Sequence, residues 1–501
     1  MPTEDREMRS LRCAVIGAGM AGILSAIKLR EAGITDLTIY EKGDTFGGTW
    51  RENSYPGLAC DVPSHLYSYS FEPNPEWSRR FAPGPEIRAY FERVAQRHGL
   101  DAITRFGEEV TSCRFQEGAW HLETSSGARN TADVLLAATG VLHHPNVPTL
   151  EGLDSFAGHA FHSARWDHDV EIGGRRVGIV GTGSTAVQIS GGIVDEVSSL
   201  ALFQRTAQWI MPQTNPAYTE EEKARFRHDR ALMAQARQEF SKLFTEGFAD
   251  SLVNADSPEM RMLEDMCQDN LEKSVADPVL REQLRPDYRA ACKRLVIAEH
   301  FYQAIQRPNA RLITAGIERI EPGGVRTSDG ALHELDVLVL ATGFKVDRFV
   351  RPTKVISEGG LDLDQVWGDG PIAYLSICVP GFPNFFMLNG PNGPVGNFSL
   401  IDVAELQIGY IVDLIGAIRT DGITQISARA GATERFEASR RAAARSTIWM
   451  TGCRSWYLDR HGVPATWPWS FTRFREAMAS PEWDDFELSG RAPDLASEMD
   501  R

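Results

Sequence analysis

The sequence is short of positive charge. It has 52 Lys and Arg residues against 68 Asp and Glu residues, which gives a formal net charge of −16 at pH 7. Because nucleic-acid binding depends on clustered cations, this balance argues against a nucleic-acid partner. No run of about 18 apolar residues occurs, so the sequence predicts no membrane span. The charged segment Met1–Ser10 lacks the apolar core of a signal peptide.

The sequence also has few cysteines, and none of the seven lies in a C-x-x-C or C-x-x-x-x-C pair. Their odd number and scattered positions predict reduced thiols in a cytoplasmic enzyme. They argue against disulfide-reductase flavoproteins, whose chemistry needs two neighbouring redox cysteines. The cysteines are Cys13, Cys60, Cys113, Cys267, Cys292, Cys378 and Cys453.

A glycine turn near the start of the chain predicts a dinucleotide site. Residues 11–16 form an apolar run typical of a buried strand, and Gly17, Gly19 and Gly22 follow it directly. These glycines allow a tight turn, close approach to a pyrophosphate and close helix packing. A helix over 21–30 and a strand over 36–40 come next, and Glu41 ends that strand, where a carboxylate accepts hydrogen bonds from ribose hydroxyls.

A second turn of the same kind begins at Gly181. A strand over 175–180 precedes Gly181, Gly183 and Ser184, and a second strand is predicted over 200–204. Arg205 and Thr206 then stand where the first unit has its acid. Because Arg matches a 2′-phosphate with two hydrogen bonds, this end predicts NADPH, although a solvated surface Arg is the alternative.

The two units also share a later strand that ends in Ala-Thr-Gly. The strands over 133–140 and 336–343 are near copies, and they make Thr139 and Thr342 candidate cofactor contacts. Residues 215–290 are rich in Glu, Arg, Gln, Ala and Met and predict two to four inserted helices. The 501-residue length allows two to four domains. We predict a first domain over 1–150 and 352–501, and a second over 151–214 and 291–351 with the insertion 215–290.

Two longer motifs carry a resemblance to a known family. The segment between the glycine turns has the pattern F-x-G-x-x-x-H-x-x-x-W-D, with Phe156, Gly158, His162, Trp166 and Asp167. An earlier loop matches G-x-W-x-x-x-x-Y-P-G-x-x-x-D, from Gly48 and Trp50 to Asp61. Both patterns resemble signatures of the Baeyer–Villiger monooxygenases.

That resemblance implies an α/β fold with two Rossmann-like dinucleotide-binding domains, the first for FAD and the second for NADPH, with a helical insertion in the second. It implies oxidation of a ketone by O₂ to an ester or lactone through a C4a-peroxyflavin, together with sulfoxidation. One alternative is a flavin-containing N- or S-monooxygenase without ketone activity. The other is a non-enzymatic NADP/FAD sensor or a reductase, which would oxidise NADPH with no organic product. The motifs leave the ketone and the oligomeric state open.

The resemblance also assigns site residues. It places Asp61 beside the flavin and Arg294 over it as the catalytic cation, with Asp61 as its partner. It places Lys293 near the NADPH phosphate, and Trp456 in a C-terminal loop that contacts the coenzyme; a plain hydrophobic anchor is the alternative for Trp456. His162 is expected in the hinge between the domains.

Overall fold

A computed structural model of the chain describes residues 9–396 and 398–490. The segment Met1–Ser10 therefore lies almost wholly outside the described residues. Within them, no helix is both long and apolar enough to cross a membrane.

The strands of the described residues fall into two parallel sheets and several small ones. In chain order they are β1 (Arg12–Ile16), β2 (Asp36–Glu41), β3 (Thr104–Phe106), β4 (Val110–Gln116), β5 (Ala119–Thr124), β6 (Arg129–Ala132), β7 (Val134–Ala137), β8 (His159–His162), β9 (Arg176–Val180), β10 (Ser199–Phe203), β11 (Ile210–Pro212), β12 (Val296–Ala298), β13 (Ala310–Ile313), β14 (Ile317–Glu321), β15 (Gly324–Thr327), β16 (Leu332–Glu334), β17 (Val337–Leu340), β18 (Lys354–Ile356), β19 (Phe385–Met387), β20 (Ile423–Ala428) and β21 (Phe486–Gly490).

The helices cover these sheets and build the insertion. They are α1 (Met20–Glu31), α2 (Thr49–Glu52), α3 (Gly84–Arg97), α4 (Ser184–Ile193), α5 (Glu220–His228), α6 (Arg230–Lys242), α7 (Asp250–Leu252), α8 (Pro258–Ser274), α9 (Pro278–Gln283), α10 (Phe301–Ile305), α11 (Leu363–Val366), α12 (Leu400–Thr420), α13 (Ala430–Ala444) and α14 (Phe471–Ala477).

The two large sheets have the same plan. The first has the strand order β19-β7-β1-β2-β3 and the second β8-β17-β9-β10-β13, and all neighbouring strands in both are parallel. In each, the strand that ends in Ala-Thr-Gly lies beside the strand that enters the glycine turn. The predicted α/β class with two Rossmann-like sheets is therefore confirmed, and the sequence repeat is a repeat of structure.

The crossover segments between the sheets contact each other. Asn146 donates its backbone N–H to the Gly343 carbonyl at 2.8 Å, and Lys345 donates to the His144 carbonyl at 2.9 Å. The loop with Tyr55 and Gly57 packs on α4 of the second unit. A Cβ built on Gly57 would lie 2.4 Å from the Gln188 carbonyl oxygen, so only glycine permits this approach.

Several sequence expectations need correction. The stretch 215–290 contains five α-helices and a π-helical segment Leu243–Ala249, more than the two to four predicted, because short capped turns leave little trace in composition. The loop over 47–61 contains the one-turn helix α2. Part of the segment between the turns, β8, is an edge strand of the second sheet. Cys292 and Cys453 are disulfide-bonded, so the expectation of reduced thiols is wrong for these two.

Candidate active site

The first glycine turn is tightly closed. Gly17 has φ +104°, and a Cβ built on Gly22 would lie 1.8 Å from the Gly17 carbonyl oxygen. Gly48 presses against Gly19, since a Cβ on Gly48 would lie 2.8 Å from the Gly19 Cα. Because no side chain fits here, a pyrophosphate can approach the backbone at the start of α1, which fits a bound dinucleotide.

Glu41 lies beside this turn, as predicted for a ribose-binding acid. Its carboxylate accepts from the backbone N–H groups of Ala18 and Gly43, both at 2.8 Å, and from Arg51 at 2.9 Å. The carboxylate therefore fixes the turn as well as offering an acceptor at the end of β2.

Buried polar atoms mark the same edge of the first sheet. Gln407 on α12 accepts the backbone N–H of Asn389 at 2.7 Å. Gln407 Nε2 and Asn389 Oδ1 are buried and have no hydrogen-bond partner among the described residues. A donor and an acceptor of this kind fit the polar edge of a flavin ring, because buried polar groups rarely remain unpaired.

Trp50 belongs to the same loop as Gly48. Its indole Nε1 donates to the Tyr67 hydroxyl at 3.2 Å, and the two rings meet edge to face at 5.6 Å. Tyr67 is a neighbour that the motif alone did not reveal.

The second turn is more open. Gly181 has φ +124°, whereas a Cβ built on Gly183 would meet no described atom within 4 Å. Ser184 is the first residue of α4, and the Thr206 carbonyl accepts from Thr182 at 2.7 Å. The turn therefore lies next to the end of β10, where the Arg205 side chain is exposed.

Lys293 comes close to Arg205, although 88 positions separate them in the sequence. Burial lowers the pKa of Lys293, Asp287 raises it, and the positive charge of Arg205 lowers it again. The Lys293 ammonium also lies 4.6 Å from the Tyr288 ring centre. Arg205 and Lys293 thus place two positive charges near each other, with the Asp287 carboxylate also acting on Lys293, and a phosphate contact by either cation remains a prediction.

The structure brings Asp61 and Arg294 together. Arg294 Nη2 donates to Asp61 Oδ2 at 2.5 Å, and Nη1 donates to the Gly396 carbonyl at 2.7 Å. The pairing predicted between these residues is present, and it spans 233 positions of sequence. The Arg294 side chain keeps 30% of its surface exposed, so a bound molecule can reach it.

The motif between the two glycine turns contacts the crossover region. His162 contacts the Gly343 carbonyl through Nε2 at 3.1 Å and accepts the Ala164 N–H at Nδ1. Burial lowers the pKa of His162, which favours a neutral hinge residue. Trp166 packs on Phe161 at 5.1 Å. Neither His162 nor Trp166 contacts Arg294.

The two threonines of the Ala-Thr-Gly strands bind the opposite crossovers. Thr139 donates to the Phe349 carbonyl, and Thr342 donates to the Asn146 carbonyl at 2.7 Å. These contacts hold the crossovers in place, and a cofactor contact by either threonine remains a prediction.

The C-terminal loop 452–458 lies against Arg294. Trp456 is 42% exposed and stacks on Tyr457 with ring centres 4.2 Å apart. Tyr457 is buried, and its hydroxyl reaches Arg294. The sequence indicated this loop but missed Tyr457 and Gly396; the adjacency of Tyr457 to Trp456 was the available signal.

Comparison with known proteins agrees with this geometry. Residues 14–235 match the family model for pyridine nucleotide-disulphide oxidoreductases. The match covers the first glycine turn and the start of the second unit, while the paired redox cysteines of disulfide reductases are absent from the sequence.

Matches to monooxygenases extend over nearly the whole chain. It is 47% identical over 475 residues to an uncharacterized monooxygenase of Mycobacterium tuberculosis, with 95% of each chain covered. It is 38% identical to a Baeyer–Villiger monooxygenase of Streptomyces coelicolor, covering 98% of this chain and 95% of the relative. The structure of cyclohexanone monooxygenase from Rhodococcus sp. Phi1 bound to NADP⁺ gives a TM-score of 0.86 at 28% identity, covering 97% and 100% of the two chains. The chain therefore belongs to the Baeyer–Villiger monooxygenase family, and it is an FAD-dependent monooxygenase that uses NADPH.

Proposed function

We propose that this enzyme inserts one oxygen atom from O₂ beside the carbonyl group of a ketone and so forms an ester or a lactone. The observation that supports this best is the Arg294 guanidinium, held by Asp61 at 2.5 Å and by the Gly396 carbonyl at 2.7 Å. Bound FAD supplies the redox and oxygen chemistry, while the protein supplies position and electrostatic field.

Arg294 is the fixed cation of this proposal. When an oxygen nucleophile adds to a ketone, the carbonyl oxygen gains negative charge, and a preorganised cation in a water-poor site stabilises it by several kcal/mol. Burial, the largest single cause, lowers the pKa of Arg294, but Asp61 and Tyr457 together outweigh burial, and the pKa is raised. The guanidinium therefore remains charged and does not transfer a proton to that oxygen.

Asp61 is the orienting partner of Arg294. A cation that is partly buried loses some of its water, and the nearby carboxylate offsets that loss around the Arg294 guanidinium. Its hydrogen bond also fixes the direction of the guanidinium plane. Asp61 thus acts through Arg294 and need not touch the ketone.

Arg205 and Lys293 are proposed to hold the 2′-phosphate of NADPH. Arg205 follows β10, where a coenzyme ribose lies in dinucleotide folds, and Lys293 approaches it from the segment after the insertion. The exposed Trp456 is proposed to cover the nicotinamide end. Ser184 and Thr206 flank the turn that would meet the pyrophosphate.

The competing function is oxidation of amines or sulfides without ketone activity. A sulfide develops no carbonyl oxyanion, so the Asp61–Arg294 pair would have no substrate charge to stabilise. A panel of cyclohexanone, 4-hydroxyacetophenone, progesterone and thioanisole, with enzyme, FAD and NADPH, separates the two. An ester or lactone one oxygen heavier supports the proposal, whereas sulfoxide alone contradicts it.

Arg294→Ala tests the role of the cation. We expect FAD binding and some NADPH oxidation to persist, with hydrogen peroxide replacing ester. Arg227→Ala is a matched control, because Arg227 forms an exposed ion pair with Glu76, and neither residue is assigned to the site. Ester at near wild-type yield from Arg294→Ala would show that a different cation is used.

We also propose that residues 1–150 and 352–501 form the FAD domain and that 151–214 and 291–351 form the NADPH domain. The strands that each part contributes to its sheet support this division. A cytoplasmic location is also proposed; the five free cysteines support it, whereas the Cys292–Cys453 disulfide does not.

A further inference from the structure

The Tyr457 hydroxyl lies at the junction of Arg294 and Gly396. Gly396 has φ +87°, and a Cβ built on it would lie 2.0 Å from Tyr457 Oη and 2.9 Å from Arg294 Nη1. The hydroxyl is thus within hydrogen-bonding reach of the same guanidinium that Asp61 holds from another side. Only glycine leaves room at this junction.

Tyr457 itself is firmly placed. It is buried, stacks on Trp456 at 4.2 Å and lies 5.4 Å from the Trp449 ring. Its carbonyl accepts the backbone N–H of Ala465 at 2.7 Å. The ring therefore has little freedom, and the hydroxyl points at the guanidinium through packing on several sides.

The Gly396 carbonyl is fixed by the same part of the chain. Thr466 donates to the Gly393 carbonyl at 3.1 Å and accepts the Val395 N–H at 3.3 Å. One short stretch, 456–466, thus orders both the hydroxyl and the carbonyl that meet Arg294. Asp61 holds the guanidinium from one side, and this stretch orders the groups that meet it from the other.

We propose that Tyr457 is a positioning residue that orients the Arg294 guanidinium and makes its alignment depend on docking of the loop 452–458. This inference rests on the proposed function, because it needs Arg294 to be the catalytic cation. Tyr457 acts through Arg294 and is not assigned contact with the ketone. Its phenol remains neutral, because burial raises the pKa of Tyr457 more than Arg294 lowers it, so its oxygen accepts from the guanidinium.

Tyr457→Phe removes only the hydroxyl and keeps the ring stack. We expect ester formed per NADPH to fall about three- to tenfold, with matching release of hydrogen peroxide, because one hydrogen bond to a charged group is lost while two remain. The measurement uses whichever of cyclohexanone, 4-hydroxyacetophenone or progesterone gives the highest ester yield. FAD content and the unfolding temperature are measured in parallel.

Tyr302→Phe is the matched control, because the Tyr302 hydroxyl is buried and has no hydrogen-bond partner among the described residues. A yield in Tyr457→Phe equal to that of Tyr302→Phe overturns the proposal. A lower yield that comes with loss of FAD or a lower unfolding temperature also overturns it, since packing would then be the cause. If Arg294→Ala makes ester at near wild-type yield, Arg294 is not the cation and the inference about Tyr457 fails with it. Failure of the proposed function is a separate result, sulfoxide without ester from the wild type. If only Tyr457→Phe keeps its ester yield, the failure is confined to Tyr457.

Discussion

The two glycine turns share their first two glycines but differ in how closely the chain surrounds them. In the first, a Cβ on Gly22 would lie 1.8 Å from backbone, and one on Gly48 would lie 2.8 Å from Gly19. In the second, Ala186 stands where the first has Gly22, and a Cβ on Gly183 meets no described atom within 4 Å. Both turns are tight at their first glycine, since a Cβ on Gly181 would lie 2.3 Å from the Ala341 carbonyl oxygen. They differ at the second glycine, which the loop with Gly48 covers in the first turn and no described residue covers in the second.

The residues at the end of the second strand of each unit, Glu41 and Arg205, also differ in how exposed they are. Glu41 is buried and bound to the backbone of its own turn, whereas Arg205 is exposed. A closed turn with a buried acid favours a cofactor that stays bound. An open turn with an exposed cation favours a coenzyme that enters and leaves. We therefore expect the first turn to hold FAD as a resident cofactor and the second to bind NADPH more loosely.

Gly22→Ala should break the comparison most strongly. Its methyl group would overlap the Gly17 carbonyl, so α1 cannot keep its place. We expect either no folded protein or purified protein with less than about a tenth of the wild-type FAD. A loss of more than about 1.4 kcal/mol of FAD-binding free energy lowers the affinity more than tenfold. Flavin absorbance per protein measures this.

Gly183→Ala is the test in the open turn, at the position that corresponds to Gly19 in the first turn. It should leave FAD content unchanged and raise the KM for NADPH, because its methyl group faces the place for the pyrophosphate. A loss of FAD in Gly183→Ala equal to that in Gly22→Ala would remove the distinction between the turns.

Arg205→Ala should have the next largest effect. Losing one charge-assisted contact to the 2′-phosphate costs about 1.5–3 kcal/mol, so the KM for NADPH should rise tenfold or more while that for NADH changes little. Steady-state kinetics with both coenzymes checks this. Arg307→Ala is a control, since Arg307 pairs with exposed Asp195. If Arg205→Ala treats the two coenzymes as wild type does, another residue reads the phosphate.

Features that depend on short segments could be predicted from the local sequence, whereas contacts between distant segments could not. Both turns, Glu41 and Arg205 follow from local patterns of apolar residues and glycines. The Asp61–Arg294 pair spans 233 positions and was reached through family resemblance, not periodicity. The Tyr457–Arg294 contact and the Cys292–Cys453 bond follow no pattern, because only the folded chain brings these segments together.

The inserted helices contact the first unit through an ion pair with a carboxylate that titrates near neutral pH. Asp402 on α12 pairs with Arg237 on α6 at the edge of a cavity of about 820 Å³. Burial raises the pKa of Asp402 to about 6, although Arg237 lowers it. The folded state therefore favours the protonated acid more than the unfolded state does. The stability that protonated Asp402 contributes to the folded state is fully present below about pH 4 and is lost as the pH rises through about 6.

The free energy of unfolding should thus fall by roughly 2 kcal/mol from this group between pH 4 and pH 7. Asp402→Asn should remove that part of the pH dependence, whereas Asp484→Asn, at an exposed carboxylate, should not. Urea unfolding at pH 5 and pH 8 measures the difference. The same pH slope in Asp402→Asn and wild type would show that Asp402 does not titrate in this range.

The smallest effect is expected from the disulfide. Cys292 directly precedes Lys293 and Arg294, and Cys453 lies in the loop 452–458. The bond therefore joins this loop to the segment that carries Arg294. Stacking of Trp456 and burial of Tyr457 also hold this loop, so loss of the bond should free it only in part. Cys453→Ser should raise the KM for NADPH by less than about threefold, because a difference under 0.7 kcal/mol is expected when other contacts persist, and should leave FAD content unchanged. Dithiothreitol should produce the same change in wild type and none in Cys453→Ser. An equal response of both proteins to the reductant would show that the bond does not restrain the loop.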